Sequence, residues 1–394
     1  MEMRKVYLDN SATTFVSSEV LREMLPAFNT TFGNANSANS YGRDALALVE
    51  VARERVAKAI GAKSSEIYFT SGGTEANNWA IRGIAYKLRD KGKHIITSTI
   101  EHHSILNTCQ ALEKEGFQVT YLKADENGIV SLAELMHYIR KDTILISVMA
   151  ANNELGTIQN IQAIAQTAHE KGILFHTDAV QAFGAINFHV SDMGIDLMSI
   201  SSHKIYGPKG VGALYIREGV QIEPIMYGGE QEAGLRGGTT NVPGVVGFGK
   251  ASEIAVRDMS INIHKIRSLR DYFLKSLSAK VTNFTLNGHP FQRLQGLLSI
   301  TFEGVEGESL ATLLDMKGIA ISTGSACSSG SHQTSHVLSA VGFDIVQAKS
   351  TVRISIGKSN TKEELDYVVE AIAEAVERLR AMSPIRIKKK KLED

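Results

Sequence analysis

Four short stretches combine residue types that could do chemistry together. Ser71-Gly72-Gly73-Thr74-Glu75-Ala76 follows an apolar run and opens a helical pattern. Its free backbone N–H groups, the helix dipole and two hydroxyls could hold an anion, although simple capping explains a glycine-rich turn as well. No Gly-Lys-Ser/Thr follows and the glycines lack dinucleotide spacing, so the anion should be a single phosphate. His176-Thr177-Asp178-Ala179-Val180-Gln181 ends a strand pattern in an Asp. That carboxylate needs a nearby cation or donors to stay ionised, or it caps a following helix. Ser201-Ser202-His203-Lys204-Ile205-Tyr206-Gly207-Pro208-Lys209-Gly210 places a Lys in a Ser/His/Gly-rich loop at another strand end. This is a setting for a Schiff-base lysine, the ordinary alternative being a solvated surface charge. Glu101-His102-His103-Ser104 offers an imidazole able to lie on a ring and to move protons near neutrality. Adjacent histidines point apart, which argues against a metal pair, and Ser104 is a candidate helix cap. A phosphate-holding helix start, an Asp and a Lys are together the parts that pyridoxal 5'-phosphate requires: an anchor, a partner for the pyridine nitrogen and an amine for the aldehyde.

The chain has two cysteines, which excludes a disulfide framework and a zinc cluster. Cys109, in Leu106-Asn107-Thr108-Cys109-Gln110-Ala111-Leu112, lies on a helical pattern and reads as a core residue. Cys327 sits in Ser322-Thr323-Gly324-Ser325-Ala326-Cys327-Ser328-Ser329-Gly330-Ser331, whose five Ser and two Gly predict a flexible exposed loop. No Lys or Arg in that segment would lower the thiol pKa, so its deprotonation would fall to the bound site.

These residues need elements to position them. Runs at Glu66–Thr70, His94–Thr99, Gln118–Leu122, Thr143–Met149, Ile173–Asp178, Ile195–Ser201 and Gly212–Ile216 read as strands. Helical patterns at Gly73–Leu88, Ser104–Glu115, Leu132–Arg140 and Ile161–Lys171 lie between them. That alternation predicts an α/β fold, a mainly parallel sheet covered on both faces, with ligands bound beyond the strands' carboxyl ends. After about residue 260 a long helical stretch, Ile261–Leu277, leads to strands near Leu297–Phe302 and Val352–Ile356 and a last helix, Thr361–Met382. We read two domains: a large one over residues 16–260, and a smaller α+β one made of 1–15 and 261–394 and carrying the Cys327 loop. The 42 basic and 42 acidic residues balance to zero, giving no global field toward nucleic acid or an anionic membrane. No apolar stretch approaches the roughly 20 residues that span a bilayer, and the N-terminus lacks a signal-like apolar region. A cytoplasmic protein is expected, with the basic run 386–391 a solvated end.

The chain resembles the cysteine desulfurases, fold-type I pyridoxal-phosphate enzymes of the class V aminotransferase group. The likeness runs from Tyr7-Leu8-Asp9-Asn10-Ser11-Ala12-Thr13-Thr14 through Thr70-Ser71-Gly72-Gly73-Thr74-Glu75, Ile100-Glu101-His102 and Ala151-Asn152-Asn153-Glu154-Leu155-Gly156-Thr157. It continues through the Lys204 loop, Gly228-Gly229-Glu230-Gln231-Glu232, Ser325-Ala326-Cys327-Ser328 and Val352-Arg353-Ile354-Ser355. The resemblance implies that Lys204 holds the cofactor, Asp178 pairs with its ring nitrogen, Gln181 bonds the ring hydroxyl oxygen and His102 stacks on the ring. Gly73, Thr74, Ser201 and His203 would hold the phosphate. Thr239 would reach the phosphate of a partner subunit, hence a homodimer. Asn153 and Arg353 would bind the carboxylate of L-cysteine, for which the planar guanidinium is apt. Cys327 would take the substrate sulfur as a persulfide, leave alanine, and pass sulfur to acceptor proteins such as an iron–sulfur scaffold or a tRNA thiolation enzyme, with no direct nucleic-acid contact. A selenocysteine lyase or another class V aminotransferase is the rival reading. Two departures lie near the N-terminus. Asn34-Ala35-Asn36-Ser37-Ala38-Asn39 replaces an Asn-Pro-Ser-Ser-x-His stretch, and Phe15 stands where Pro is common.

Overall fold

The apolar runs become strands and most of the periodic segments between them become helices. The computed structural model describes residues 4–323 and 334–382. Cys327 with its Ser/Gly-rich neighbours, and the basic run 386–391, lie outside the described residues. In chain order, β1 (Val6–Tyr7), α1 (Ser18–Met24), α2 (Pro26–Asn29) and α3 (Ser40–Ile60) come first. Then follow β2 (Ile67–Thr70), α4 (Gly73–Leu88), β3 (His94–Ser98), α5 (His103–Lys114), β4 (Gln118–Leu122) and α6 (Leu132–Tyr138). Next come β5 (Thr143–Ser147), α7 (Ile161–Glu170), β6 (Leu174–Asp178), β7 (Leu197–Ser201) and β8 (Gly212–Ile216). The remainder is α8 (Val242–Arg257), α9 (Met259–Ser278), β9 (Phe284–Asn287), β10 (Leu297–Phe302), α10 (Gly307–Asp315), β11 (Ile319–Ala320), β12 (Ser322–Thr323), α11 (His336–Ala340), α12 (Ile345–Lys349), β13 (Thr351–Ser355) and α13 (Lys362–Met382).

The large sheet has the order β2-β8-β7-β6-β5-β3-β4. From β4 to β7 the pairs are parallel, and β8 alone is reversed, antiparallel to both β7 and β2. Strands β3, β5, β7 and β8 are buried along their whole length, as expected of a sheet covered on both faces. Gly212 faces Thr70 on one side and Ser201 on the other. A Cβ there would lie 2.6 Å from the Ile200 carbonyl oxygen and 2.8 Å from Gly72 Cα. Only glycine lets the turns after β2 and β7 come this close.

Two long helices, α3 and α8, were not read from the alternation of strands and helices. They approach so closely that a Cβ on Gly249 would come 2.5 Å from Ala52 Cα. Asn39 caps α3 by accepting from the Gly42 N–H at 3.0 Å, and Gly61, at φ +69°, ends it. Asn39 therefore has a local use at the position where the resembled pattern carries His.

A second sheet, order β12-β13-β10-β9, is wholly antiparallel. The strand β1 pairs with β11, and Asp9 bridges to Ser355. Val6 and Leu8 are thereby buried with Leu298, Ile300, Val352, Ile354 and Ile372. The short helix α11 has a different seat. Its Val337 and Leu338 are buried with Ile100, Met149 and Leu155, which belong to the segments that follow the carboxyl ends of β3 and β5. Thr361 and Glu364 form the reciprocal cap of α13, at 3.3 and 3.2 Å. Among the described residues no helix is long and apolar enough to cross a membrane.

Candidate active site

The carboxyl ends of β2, β3, β5, β6 and β7 deliver their following turns to one side of the sheet, where a cavity of about 340 Å³ opens. It is lined by Gly73, Thr74, His102, Asn153, Asp178, Gln181, His203 and Lys204, and by Arg353 from the second sheet. Ser201 is buried at the end of β7 and does not line the cavity. Thr239 is exposed and does not line it either, and Cys327 lies outside the described residues.

After β2 the chain turns through Gly72, at φ +153°, and enters α4 with no side chain capping the helix. Gly73 lies against Val180, and a Cβ on it would meet Val180 Cγ2 at 2.5 Å. The first-turn N–H groups of α4 thus face the cavity as donors for an anion.

His102, not Ser104, caps α5. Its Nδ1 accepts from the Ser104 N–H at 3.1 Å and lies 2.8 Å from Ser104 Oγ. The helix starts at His103 because this imidazole satisfies its first turn. A ring nitrogen that accepts an N–H carries a lone pair, so a proton on neutral His102 sits on Nε2. Burial lowers the His102 pKa; Asp178 opposes that shift and Lys204 adds to it. Glu101 beneath is fully buried and pushed up to about 8 by desolvation, with Oε1 accepting from Ser98 Oγ at 2.6 Å and the Met149 N–H at 3.0 Å.

Asp178 ends β6 at 6% exposure. No α-helix intervenes between β6 and β7, so Asp178 is not a helix cap. Its Oδ1 instead accepts from the Val180 N–H at 2.9 Å, and its Oδ2 accepts from Asn77 Nδ2 at 2.7 Å. Gln181 donates from Nε2 to Ser11 Oγ at 3.4 Å, while its buried Oε1 has no partner.

Lys204 follows β7 in a single helical turn, Ser202–Lys204. Its Nζ donates to the Ala12 carbonyl at 3.0 Å and also to that of Ser11. Two residues on, Tyr206 holds left-handed backbone at φ +65°. Its N–H donates to Thr14 Oγ1 at 2.9 Å, and its hydroxyl accepts from the Lys358 N–H at 2.9 Å. The lysine turn is thereby fastened to the N-terminal segment and to the chain beyond β13. His203, held by Thr13 at 3.1 Å, is pushed down to about 4, first by burial and then by Lys204.

Arg353, 3% exposed, donates from Nη1 to the Asn153 carbonyl at 3.1 Å and from Nη2 to Asp9 Oδ1 at 3.0 Å. Its buried Nε has no partner. Asn153 is presented by a turn in which Asn152 Oδ1 accepts from the N–H groups of Glu154 and Leu155 at 2.9 and 2.8 Å.

Asn77 was missed by the sequence reading. It lies one helical turn beyond Gly73, inside a face otherwise made of Ala76, Trp79 and Ala80. A polar side chain within an apolar stripe was the available signal.

The residues present fit pyridoxal phosphate. The uncapped start of α4 suits the phosphate, the Asn77-held carboxylate suits a ring nitrogen, and the unpartnered Gln181 Oε1 leaves an amide for a ring oxygen. The comparisons agree. The chain belongs to the class-V aminotransferase family, whose description matches residues 6–368, and it is an enzyme dependent on pyridoxal phosphate. Within that family it is a member of the cysteine desulfurases. It is 52% identical over 384 residues to the cysteine desulfurase IscS of Methanosarcina thermophila, across 98% of this chain and 95% of that one. A solved NifS-like protein superposes with a TM-score of 0.90 at 41% identity, covering 95% of this chain and 100% of that one. The solved protein SspA in complex with cysteine gives 0.80 at 39% identity, over 90% and 99%. These likenesses favour desulfurase chemistry over the lyase or aminotransferase alternative.

Proposed function

We propose that the cavity takes L-cysteine and that Cys327 receives its sulfur, leaving a persulfide on Cys327 and releasing L-alanine. The observation that carries this reading is the placing of Lys204 and the Asn77-held Asp178 at the ends of neighbouring strands, in one cavity with Arg353. When bound, the cofactor withdraws the electron pair released at the substrate Cα. Lys204 would hold the cofactor aldehyde and, once displaced by the substrate amine, move the Cα proton. Asp178 would keep the ring nitrogen protonated, Gly73, Thr74 and His203 would serve the phosphate from the cavity wall, and Ser201 would do so from behind it at the end of β7. Arg353 has an unpartnered Nε and, with Asn153, would read the substrate carboxylate. His102, neutral at pH 7 by its lowered pKa, would take the Cys327 thiol proton at Nδ1, the ring nitrogen that holds the lone pair. The Cys327 thiolate then attacks the substrate sulfur. The S–S bond forms as the Cβ–S bond breaks, and the thiol becomes a persulfide.

We further propose a cytoplasmic homodimer that hands sulfur to acceptor proteins, an iron–sulfur scaffold or a tRNA thiolation enzyme. Leu25, Phe28, Phe32 and Tyr41 are 52 to 62% exposed on the α1–α3 segment, which supports an apolar contact with a second copy. The exposure of Thr239 outside its own chain's cavity supports a phosphate site completed by the partner.

The test replaces Cys327 with Ala. The cofactor's absorbance should persist while alanine production from L-cysteine stops, and radiolabelled sulfur should no longer reach candidate acceptors. Full turnover in this variant would sink the assignment of Cys327.

A further inference from the structure

One surface turn carries two non-glycine residues in left-handed backbone, Glu232 at φ +47° and Ala233 at φ +57°. That conformation crowds Cβ against the following carbonyl and persists only where the surroundings impose it. A buried fork imposes it here. The Glu232 carboxylate accepts from Arg53 Nη1 at 2.7 Å, from Arg53 Nη2 at 2.9 Å and from the Phe69 N–H at 2.8 Å. The two side chains are 6% and 13% exposed. Arg53 Nη1 also donates to the Ile67 carbonyl at 2.7 Å, and its guanidinium lies 4.7 Å over the Phe69 ring. The turn is therefore bound to β2, the strand that runs directly into the phosphate-facing Ser71-Gly72-Gly73.

A second clamp follows. Arg236 Nε and Nη2 donate to the two oxygens of Glu75 at 2.7 and 3.0 Å, and Glu75 Oε2 also accepts from the Ser71 N–H at 2.8 Å. Gly237 then presses on Gly228 so closely that a Cβ would come within 2.6 Å of its Cα. Beyond these fastenings Thr239 stands exposed.

The two ion pairs thus refer the 230–239 arm to the elements that set the anion-binding turn of the same chain. We propose that Arg53 and Arg236, acting through Glu232 and Glu75, are positioning residues that hold this arm ready to complete the phosphate site of a second copy of this chain. The inference rests on the reading of Thr239 given under Proposed function. An arm fixed before association has little freedom left to lose on docking, which favours both the pairing and the cofactor it secures.

The experiment uses the full chain and titrates pyridoxal phosphate into apoprotein of wild type and the variants Thr239→Ala, Arg53→Gln, Arg53→Lys and Glu232→Gln. Dimer dissociation by ultracentrifugation and thermal midpoints are measured alongside. Arg53→Gln should weaken cofactor binding about tenfold, as Thr239→Ala should, because it leaves the Glu232 charge buried and the arm unfastened. The double variant should be no worse than either single one, the sign of two residues acting in one chain of cause. Lysine at position 53 should rescue only in part, since it lacks the planar fork. If Arg53→Gln does not fold, Glu232→Gln decides, because its amide still accepts from the Phe69 N–H. A lowered thermal midpoint with unchanged cofactor affinity, or additive losses in the double variant, would mean a merely structural ion pair and overturn the proposal. If Thr239→Ala itself leaves affinity unchanged, the shared-site reading fails and the positioning role fails with it. If only Thr239→Ala weakens binding, the positioning role alone is overturned.

Discussion

Asn77 Nδ2 donates to Asp178 Oδ2 at 2.7 Å, so a helix residue holds the strand-end carboxylate that lines the cavity. The same nitrogen lies 2.9 Å from Ser104 Oγ, which in turn lies 2.8 Å from His102 Nδ1. Asp178 and His102, proposed to meet the ring at its nitrogen and on its face, are joined through a shared amide. Asn77→Leu keeps the shape and removes both hydrogen bonds. A hydrogen bond to a charged group contributes about 1.5–3 kcal/mol, so cofactor affinity should fall at least about tenfold while the far-ultraviolet dichroism stays native. Unchanged affinity in a titration of the apoprotein would show that Val180 and the cofactor suffice to place Asp178.

Gly73 supports a second expectation, from sterics alone. Its missing side chain is the space that Val180 Cγ2 fills, and a Cβ would meet that methyl at 2.5 Å. Gly73→Ala must displace Val180, which also lines the cavity proposed to hold the cofactor. Overpacking of this kind typically costs about 1–3 kcal/mol, and Val180→Ala should return most of it. The measurement is cofactor affinity in both single variants and the double one. A double variant as weak as Gly73→Ala would place the fault in the α4 backbone.

Much of this site was legible because its residues stand at strand ends, where a chain of buried apolar residues suddenly yields Asp178, Lys204 or Gly73. The strands themselves were legible for the same reason: runs such as Thr143–Ser147 are buried on both faces. Direction was not legible. Gly212–Ile216 is a buried apolar run like the parallel strands, yet it pairs antiparallel with both β7 and β2. The start of α5 was misplaced because Ser is the commoner cap, whereas the His102 ring accepts the N–H of Ser104 itself and starts the helix at His103. Asn77 was hidden because its partners are 27 and 101 residues away, a distance no local pattern encodes. The role of β1 was hidden likewise, its partner β11 lying more than three hundred residues on.

The two thiols should differ in reactivity. Cys109 is fully buried on α5 within an apolar cluster, and burial pushes its thiol up to about 12. Thiolate is the reactive form, so iodoacetamide at pH 8 should leave Cys109 unmodified in the folded protein and label it readily in denaturant. Peptide mass spectrometry reads both conditions. Cys109→Ala should keep desulfurase activity and lose about 1 kcal/mol of stability, the scale of one buried group. Native labelling at the rate of a free thiol would show that α5 opens far more often than its packing allows.

His176 makes stability depend on pH in a defined window. It is fully buried between Ser147 Oγ at 2.8 Å and Ser199 Oγ at 3.0 Å, and desolvation lowers its pKa to about 3. An unfolded chain binds this proton near pH 6.5. The depressed value therefore contributes stability that is fully present above about pH 6.5 and is lost as pH falls toward 3. His94 and His203, both pushed to about 4, act in the same direction, while the raised Glu101 acts oppositely as pH rises toward 8. His176→Gln keeps a donor and an acceptor for the two hydroxyls and removes only the titration. Urea unfolding of wild type and variant at pH 7 and pH 5 isolates the effect. Moving from pH 7 to pH 5 should destabilise the wild type by about 2 kcal/mol more than the variant, whatever the variant's absolute stability. A difference that does not change between the two pH values would show that His176 is protonated as easily in the folded protein as in the unfolded chain.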